Sequence, residues 1–516
     1  MLHRRDFLAG LAGLAALGHG RGALAQAGTS AGAGAAIFRV VTPYEINGLD
    51  PVRSGFVFTR LQIAETLLGA DDGGRPVPQL ATAWSLSEDR LRWRFTLRPA
   101  ARFHDGTPVT ATAVAACLER ARALPGVLIN APIARITAEE DTVVIQTTRP
   151  FASMPAFVAH SSTMILAPAA FEGETVRAIL GTGPYRVAEM VLPQRVDAVR
   201  FEGWDGPAPA VERLSYLAAG RGETRGTMAE SGQAEMVCQL APETVDRLRR
   251  NPRVQVVVQA IPRTRLIKLN CGSPLFSDAR ARRALSLALD RAGMARALLR
   301  SAPSAATQLF PASMAEWHVP SLAPLERNLE EARRLLGELG WQPGAEGILA
   351  REGRPFRFTL RTFSDRPELP VLATAMQSQL REIGVDMQIA IVNSGEIPAG
   401  HQDGTLEAAL LARNFALVPD PLGTLLLDFG PKGGDWGAMN WSSPELVAVM
   451  EKLGGTADPA ERAALRGRAA TILHEEMPVI PVSWFDQSTA ISRRVAHLTV
   501  DPLELSYRIA GARWAS

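Results

Sequence analysis

The chain has 516 residues, enough for two or three lobes with large cores. A hydrophobic content of 47% and a charged content of 21% are those of a globular protein. A formal net charge of +2 excludes functions that need a strongly basic surface, such as nucleic-acid or membrane-surface binding. Three cysteines without CxxC spacing exclude a disulfide framework and a cysteine zinc site.

The N-terminus reads as a targeting segment, residues 1–25. Arg4-Arg5-Asp6-Phe7-Leu8 is a twin-arginine pattern, and residues 7–17 form an apolar run too short to span a bilayer, which needs roughly 20 residues. Ala23-Leu24-Ala25 is a small-x-small cleavage site, so the mature chain starts at Gln26. With no cysteine at that site, the expectation is a freely diffusing exported protein. Residues 26–36 are a flexible linker by composition. The linker contains a GxSxG, residues 28–32, but lacks the flanking strand and helix that a nucleophile elbow needs.

Residues 37–41 read as a first strand, followed by Leu49-Asp50-Pro51. Further on, Leu91, Trp93, Phe95 and Leu97 alternate with Arg92, Arg94, Thr96 and Arg98, a period of two that gives a strand one buried and one wet face. Phe103-His104-Asp105-Gly106-Thr107-Pro108 follows as a turn, and Thr110 can cap a helix beginning near Ala111. His104 beside Asp105 is either an acid–base pair or, preferred here, a turn element with an internally satisfied imidazole. Residues 142–147 are another strand. In Gly181-Thr182-Gly183-Pro184-Tyr185 the glycines make a tight bend in preference to a phosphate cradle, since no GK[ST] follows.

Residues 265–270 read as a strand that leads, after Leu275-Phe276-Ser277-Asp278, into a helix over 279–290. Ala332, Leu335, Leu336 and Leu339 recur at helical spacing, and Gly340 is a natural stop. Leu372, Met376, Leu380 and Ile383 mark a second such helix, stopped by Gly384. Val385, Met387, Ile389 and Ile391 then alternate as a strand, so this part is α/β. Asp458-Pro459 is an N-cap followed by proline at the first helical position, and residues 479–485 are a late strand. Trp84, Trp93, Trp204 and Trp341 are assigned to packing. Cys238 and Cys271 end two neighbouring strands, which leaves a disulfide between them open.

Residues 78–114, with Leu49-Asp50-Pro51, Gly181-Thr182-Gly183-Pro184-Tyr185 and Phe201-Glu202-Gly203-Trp204, closely resemble the bacterial family 5 extracellular solute-binding proteins, the peptide- and nickel-binding proteins of ABC transporters. The resemblance runs from about Ile37 to about Trp514. It implies an α/β, two-lobed periplasmic binding protein fold (type II, cluster C) with an inserted subdomain in the first lobe. The implied division is lobe I at 37–53, 169–265 and 484–516, the inserted subdomain at 54–168, and lobe II at 266–483.

The implied function is capture, not catalysis: a periplasmic substrate-binding protein of an ABC importer that closes over a small peptide-like or other organic solute and delivers it to a membrane permease. No catalytic residue, metal ligand or cofactor is expected. The implied partners are the solute and the permease subunits, with no nucleic acid, and the protein is expected to be a monomer. By family position the ligand-binding residues are Tyr44, Glu45 and Asn47 after the first strand, and Asn270, Cys271 and Gly272 at the second crossover. The recognition loop adds Arg413, Asn414, Phe415 and Leu417, and Trp436, Asn440, Trp441 and Trp484 complete the set. Core packing is an equal expectation for each tryptophan.

Where peptide binders carry a carboxylate for the ligand's amino group, this loop has Leu417; Asp420 belongs to an Asp-Pro turn. Residues 308–313 and 347–355 resemble the nickel-binding branch. Yet the loop after Asp420-Pro421 holds no histidine, and the positions of the branch's chelator-binding arginines are taken here by apolar or small residues around Leu124 and Ser161. A metal-chelate binder is therefore the alternative, an exported enzyme comes third, and a binding protein that signals to a receptor is a fourth reading.

Overall fold

The computed structural model describes residues 36–516. The targeting segment expected at residues 1–25, and nearly all of the linker expected at 26–36, lie outside the described residues. A ten-stranded sheet organises the chain, in the order Tyr185–Val191, Arg195–Arg200, Arg213–Ala218, Ile37–Thr42, Met236–Cys238, Val479–Ser492, Val254–Leu269, Ala408–Asn414, Arg357–Thr362, Asp386–Ile391. Ile37–Thr42 pairs in parallel with Arg213–Ala218 and Met236–Cys238. At the other end, Arg357–Thr362 pairs in parallel with Asp386–Ile391 and Ala408–Asn414.

The two halves are joined by the two longest strands. Val254–Leu269 and Val479–Ser492 pair antiparallel from Val254↔Ser492 to Lys268↔Val479. Val479–Ser492 also pairs with Met236–Cys238 of the first half, and Val254–Leu269 with Ala408–Asn414 of the second. The shared register breaks between Ile261 and Thr264 and again between Arg265 and Leu266. Pro262 lies in the first break, where a residue without an N–H costs no ladder bond. The fold is thus two α/β lobes linked by two crossing strands.

The inserted subdomain is a four-stranded antiparallel sheet, in the order Ala81–Leu86, Arg92–Leu97, Thr142–Thr147, Ile133–Glu139. Its helix, Ala111–Ala123, packs on it. The alternation seen in the sequence is real: Trp93, Phe95 and Leu97 are buried while Arg92 and Arg94 are exposed. Thr110 caps the helix, its hydroxyl accepting from the Ala113 N–H at 3.2 Å. In the second lobe, Leu329–Glu338 buries Ala332, Leu335 and Leu336, and Gly340 turns the chain at φ +83°. Glu368–Arg381 buries Leu372, Met376 and Leu380 before the strand Asp386–Ile391. Asp458 caps Pro459–Glu476.

Gly181 and Gly183 lay their backbone against the segment after the helix Pro51–Arg60. The Gly183 N–H donates to the Ile63 carbonyl at 3.1 Å, and a methyl on either glycine would collide with the carbonyl of Ile63 or Gln62. The glycines serve close approach, not a positive φ. His104 ties the turn to this segment. Its N–H donates to the Gly181 carbonyl at 2.9 Å, and its Nε2 lies 3.0 Å from the Gly183 carbonyl. The imidazole is only half satisfied, because buried Nδ1 has no partner.

Burial pushes His104 down from 6.5 to about 4, and burial with the Arg413 charge does the same to His160. Both are neutral in the native protein at pH 7. Between pH 6.5 and 4 the unfolded chain takes up protons that the native state refuses, so stability falls as pH falls through that window. Each histidine removes about 3 kcal/mol across it. Urea melts at pH 7 and pH 4.5 should show the loss, and His104→Gln should shrink it; an unchanged difference rejects this assignment.

The three cysteines are free and buried. Cys238 belongs to the first-lobe core and Cys271 to the second-lobe core, so the disulfide left open by the sequence does not form.

Candidate functional site

The crossing strands bring a cluster of buried charge to the point where the lobes meet. Arg263 stands in the register break, 3% exposed, and its Nη2 donates to Glu504 Oε2 at 2.5 Å and to the Tyr44 hydroxyl at 3.4 Å. Arg366, at the start of the second-lobe helix Glu368–Arg381, donates Nη2 to the same hydroxyl at 3.3 Å and Nη1 to Gln239 Oε1 at 3.1 Å. Gln239 in turn donates its amide to Tyr44. Arg60, on the last turn of the helix Pro51–Arg60, donates Nε to the Glu504 carbonyl at 2.5 Å. Its guanidinium lies 5.4 Å from the Tyr44 ring centre and 5.1 Å from that of Phe56.

Two further groups complete the cluster. Arg265 is paired with Glu368 at 3.1 Å. Phe485, on the second crossing strand, has the guanidiniums of Arg265, Arg263 and Arg366 at 4.0, 5.0 and 5.6 Å from its ring centre. Glu504 Oε2 also accepts from Asn414 Nδ2 at 2.8 Å, which joins the C-terminal tail to the second lobe.

This surplus of positive charge sets the titration of its neighbours. Burial alone would raise the Tyr44 hydroxyl, but the Arg263 and Arg366 charges outweigh it and hold the phenol below its usual range. Burial would likewise raise Glu504, and the charges of Arg263, Arg60 and Arg366 hold it below the ordinary carboxylate range.

Cavities flank the cluster. One of about 670 Å³ is lined by Phe56, Arg60, Arg98, Trp204, Leu417 and Glu504 among others. A second, of about 490 Å³, is lined by Tyr44, Glu45, Asn47, Phe56, Phe363 and Asp365 among others. In the first, Arg98 bridges Glu65 at 3.1 Å and Asp205 at 2.6 Å and lies 4.8 Å from the Trp204 ring centre. Trp204, assigned to packing from sequence, is a half-buried cavity wall instead.

Of the residues picked from sequence, Tyr44, Glu45, Asn47, Asn414 and Leu417 lie at the cluster or line its cavities. Arg413 does not reach out to them; it grips Asp428 with Nε at 2.5 Å and Nη2 at 2.9 Å. Phe415 is 0% exposed and packs edge-on against Phe310 at 5.3 Å. Trp484 is half-buried, donating Nε1 to the Gln308 carbonyl at 3.1 Å.

Asn270, Cys271, Gly272 and Asn440 gather elsewhere. Asn270 Oδ1 accepts from Asn440 Nδ2 at 2.8 Å and from the Gly272 N–H at 3.1 Å, and Cys271 is buried. Their strand has run about 20 Å past Arg263 by then, at roughly 3.3 Å per residue. Trp441 donates to Glu476 at 3.1 Å, and Trp436 packs on the second-lobe core.

The sequence reading missed Arg60, Gln239, Arg263, Arg366, Phe485 and Glu504. A local signal existed for one of them: Pro262-Arg263-Thr264-Arg265 puts two arginines into a strand rich in Val, Ile and Leu, within the half that is buried from Ile261 onward. Among the described residues no group of three His, Cys, Asp or Glu side chains could hold a metal ion, and no helix is long and apolar enough to cross a membrane.

Two α/β lobes joined by crossing strands, with cavities between them, give the architecture of a solute-binding protein. The family described as bacterial extracellular solute-binding proteins, family 5 Middle, matches residues 75–436, and the chain belongs to it. It is 25% identical over 496 residues to the nickel-binding periplasmic protein of Escherichia coli K12, covering 90% of this chain and 94% of that one. To the glutathione-binding protein GsiB of the same strain it is 24% identical over 464 residues, 86% of each. The fold superposes with a TM-score of 0.83, at 17% identity, on the Bacillus subtilis oligopeptide-binding protein AppA solved with a nonapeptide, covering 93% of this chain and 99% of AppA.

Proposed function

We propose that the protein is the periplasmic substrate-binding component of an ABC importer and captures a small peptide-like or other organic solute by lobe closure. The cleft geometry carries this reading: charged groups from both lobes meet at the crossing strands, between cavities of about 670 and 490 Å³. Cavities of this size fit small organic molecules. Lobe boundaries at 265/266 and 483/484 fall beside the register breaks of the crossing strands, where a bend costs least. The molecule is exported through the twin-arginine pattern, acts as a monomer, and hands its solute to permease subunits without turning it over. Solute stabilises the closed form only through contacts it lacks in the open one.

The chain's similarity to a nickel-binding relative favours a second reading, a metal chelate. Here the protein would have to grip the chelator, since side chains offer no metal site among the described residues. Thermal melts with a solute panel test both. A true solute at a hundredfold excess over Kd adds about 2.7 kcal/mol of stability. Nickel with a chelator should exceed either alone if the second reading holds. A flat response across the panel rejects both.

A further inference from the structure

We propose that the inserted subdomain carries a clasp that holds the lobes shut, so that Arg90, Phe151 and Gly454 set solute affinity without touching the solute; the inference deepens the importer reading, and its affinity arm rests on it. The helix Pro444–Gly455 of the second lobe ends against the subdomain. The last four carbonyls of a helix have no partner within it. Those of Lys452 and Leu453 accept from the Thr456 N–H, at 3.0 and 3.3 Å. Those of Gly454 and Gly455 accept from the subdomain instead: from the Ala152 N–H at 2.7 Å and from Arg90 Nη2 at 2.9 Å. The arginine charge also suits the negative end of the helix.

Apolar contact reinforces the bonds. Phe151 is 3% exposed and lies against Gly454, where a Cβ would meet its ring at 3.0 Å. The ring is fixed from its own side: the Phe151 carbonyl accepts from Trp93 Nε1 at 3.0 Å, and Phe157 packs edge-on at 4.9 Å. Val418 of the recognition loop is 0% exposed and belongs to the subdomain's core, with Leu426 packed on it. Ser153 Oγ donates to Asp420 Oδ2 at 2.7 Å. All these contacts join the subdomain to the second lobe, and none uses the crossing strands. Separating the lobes about those strands would return Val418, Phe151 and the two carbonyls to water, a cost that favours the closed form. A cavity of about 480 Å³ has Ala152 and Ser153 of the clasp in its wall, and also Pro262 of a crossing strand. Arg90, Phe151 and Gly454 line neither this cavity nor the two beside the charge cluster. A solute held by the closed form has an apparent Kd divided by the closed fraction, so the clasp acts on every solute alike.

The test uses the mature chain with spin labels at Thr137→Cys in the subdomain and Ala464→Cys in the second lobe, both exposed positions; the three native cysteines are buried and do not compete for label. Label-to-label distances are read without solute, and Kd is read by calorimetry for glutathione, alanyl-alanine and nickel with histidine. Wild type should populate a short distance. Gly454→Val sets a side chain against the Phe151 ring; it should shift the distance outward and raise Kd about tenfold or more, by the same factor for each compound that binds. Arg90→Gln removes the charge on the Gly455 carbonyl and should act in the same direction by less. It carries the test if circular dichroism shows that Gly454→Val does not fold. A wild type with only the long distance, or a short distance that both variants keep, overturns the clasp and leaves the importer reading in place. An affinity loss confined to one compound also overturns it, since a residue that touches solute is selective and a clasp is not. If none of the three compounds binds, the importer reading loses support, while the clasp stands or falls on the distances.

Discussion

Replacing Arg413 by methionine should lower the unfolding free energy by about 3–5 kcal/mol, the cost of breaking a buried ion pair from one side. Asp428 is 2% exposed, and burial raises its carboxyl above the ordinary range even with Arg413 in place. The two bonds from Arg413, at 2.5 and 2.9 Å, keep that carboxylate tolerable. The next cation is Lys268, also buried, itself pushed down to about 8 by burial and occupied with the Gly434 and Asp435 carbonyls. It cannot take over the role. Urea unfolding of Arg413→Met, Asp428→Leu and the double variant checks this. The double variant should recover most of the loss, because no unpaired charge remains. A single-variant loss below about 1 kcal/mol, the value of an exposed pair, would show that the pair is solvated.

The second large effect concerns Gly183. Gly183→Val should destabilise by about 3 kcal/mol or more, the upper end of overpacking, because its side chain would have to occupy the space of the Gln62 carbonyl. The backbone cannot retreat without breaking the bonds from Gly183 to Ile63 and from His104 to this segment. Gly467 is the control. It lies inside the helix Pro459–Glu476 with open space around it, and Gly467→Ala should stabilise by about 0.5–1 kcal/mol from helix propensity alone. Equal effects at the two positions would mean that close approach is not what requires Gly183.

The scaffold was legible where local pattern decides structure. Trp93, Phe95 and Leu97 announce their buried face by alternation, and Thr110 and Asp458 announce helix starts by side-chain chemistry. The site was legible only in part, for a physical reason. Tyr44 and Leu417 sit on segments whose place follows from neighbouring strands. Arg60, Arg366 and Glu504 each look like ordinary surface charges in their own helix or tail, and burial comes to them from elements far away in sequence. The bonds of Glu504 to Asn414 and Arg60 span 90 and 444 residues. Asn270 and Asn440 show the reverse: polar residues at a strand end, plausible for a ligand, that satisfy one another.

That long-range assembly has an evolutionary consequence. The cluster is drawn from the segment after the first strand, a helix end, the crossing strands, a helix start and the C-terminal tail. On the proposed reading, in which solute binds at this cluster, a new cargo can be adopted through a handful of dispersed substitutions, each invisible in any local alignment window, while the sheet that holds them stays untouched. Overall identity between two such importers' receptors then tracks ancestry of the frame and carries little information about diet.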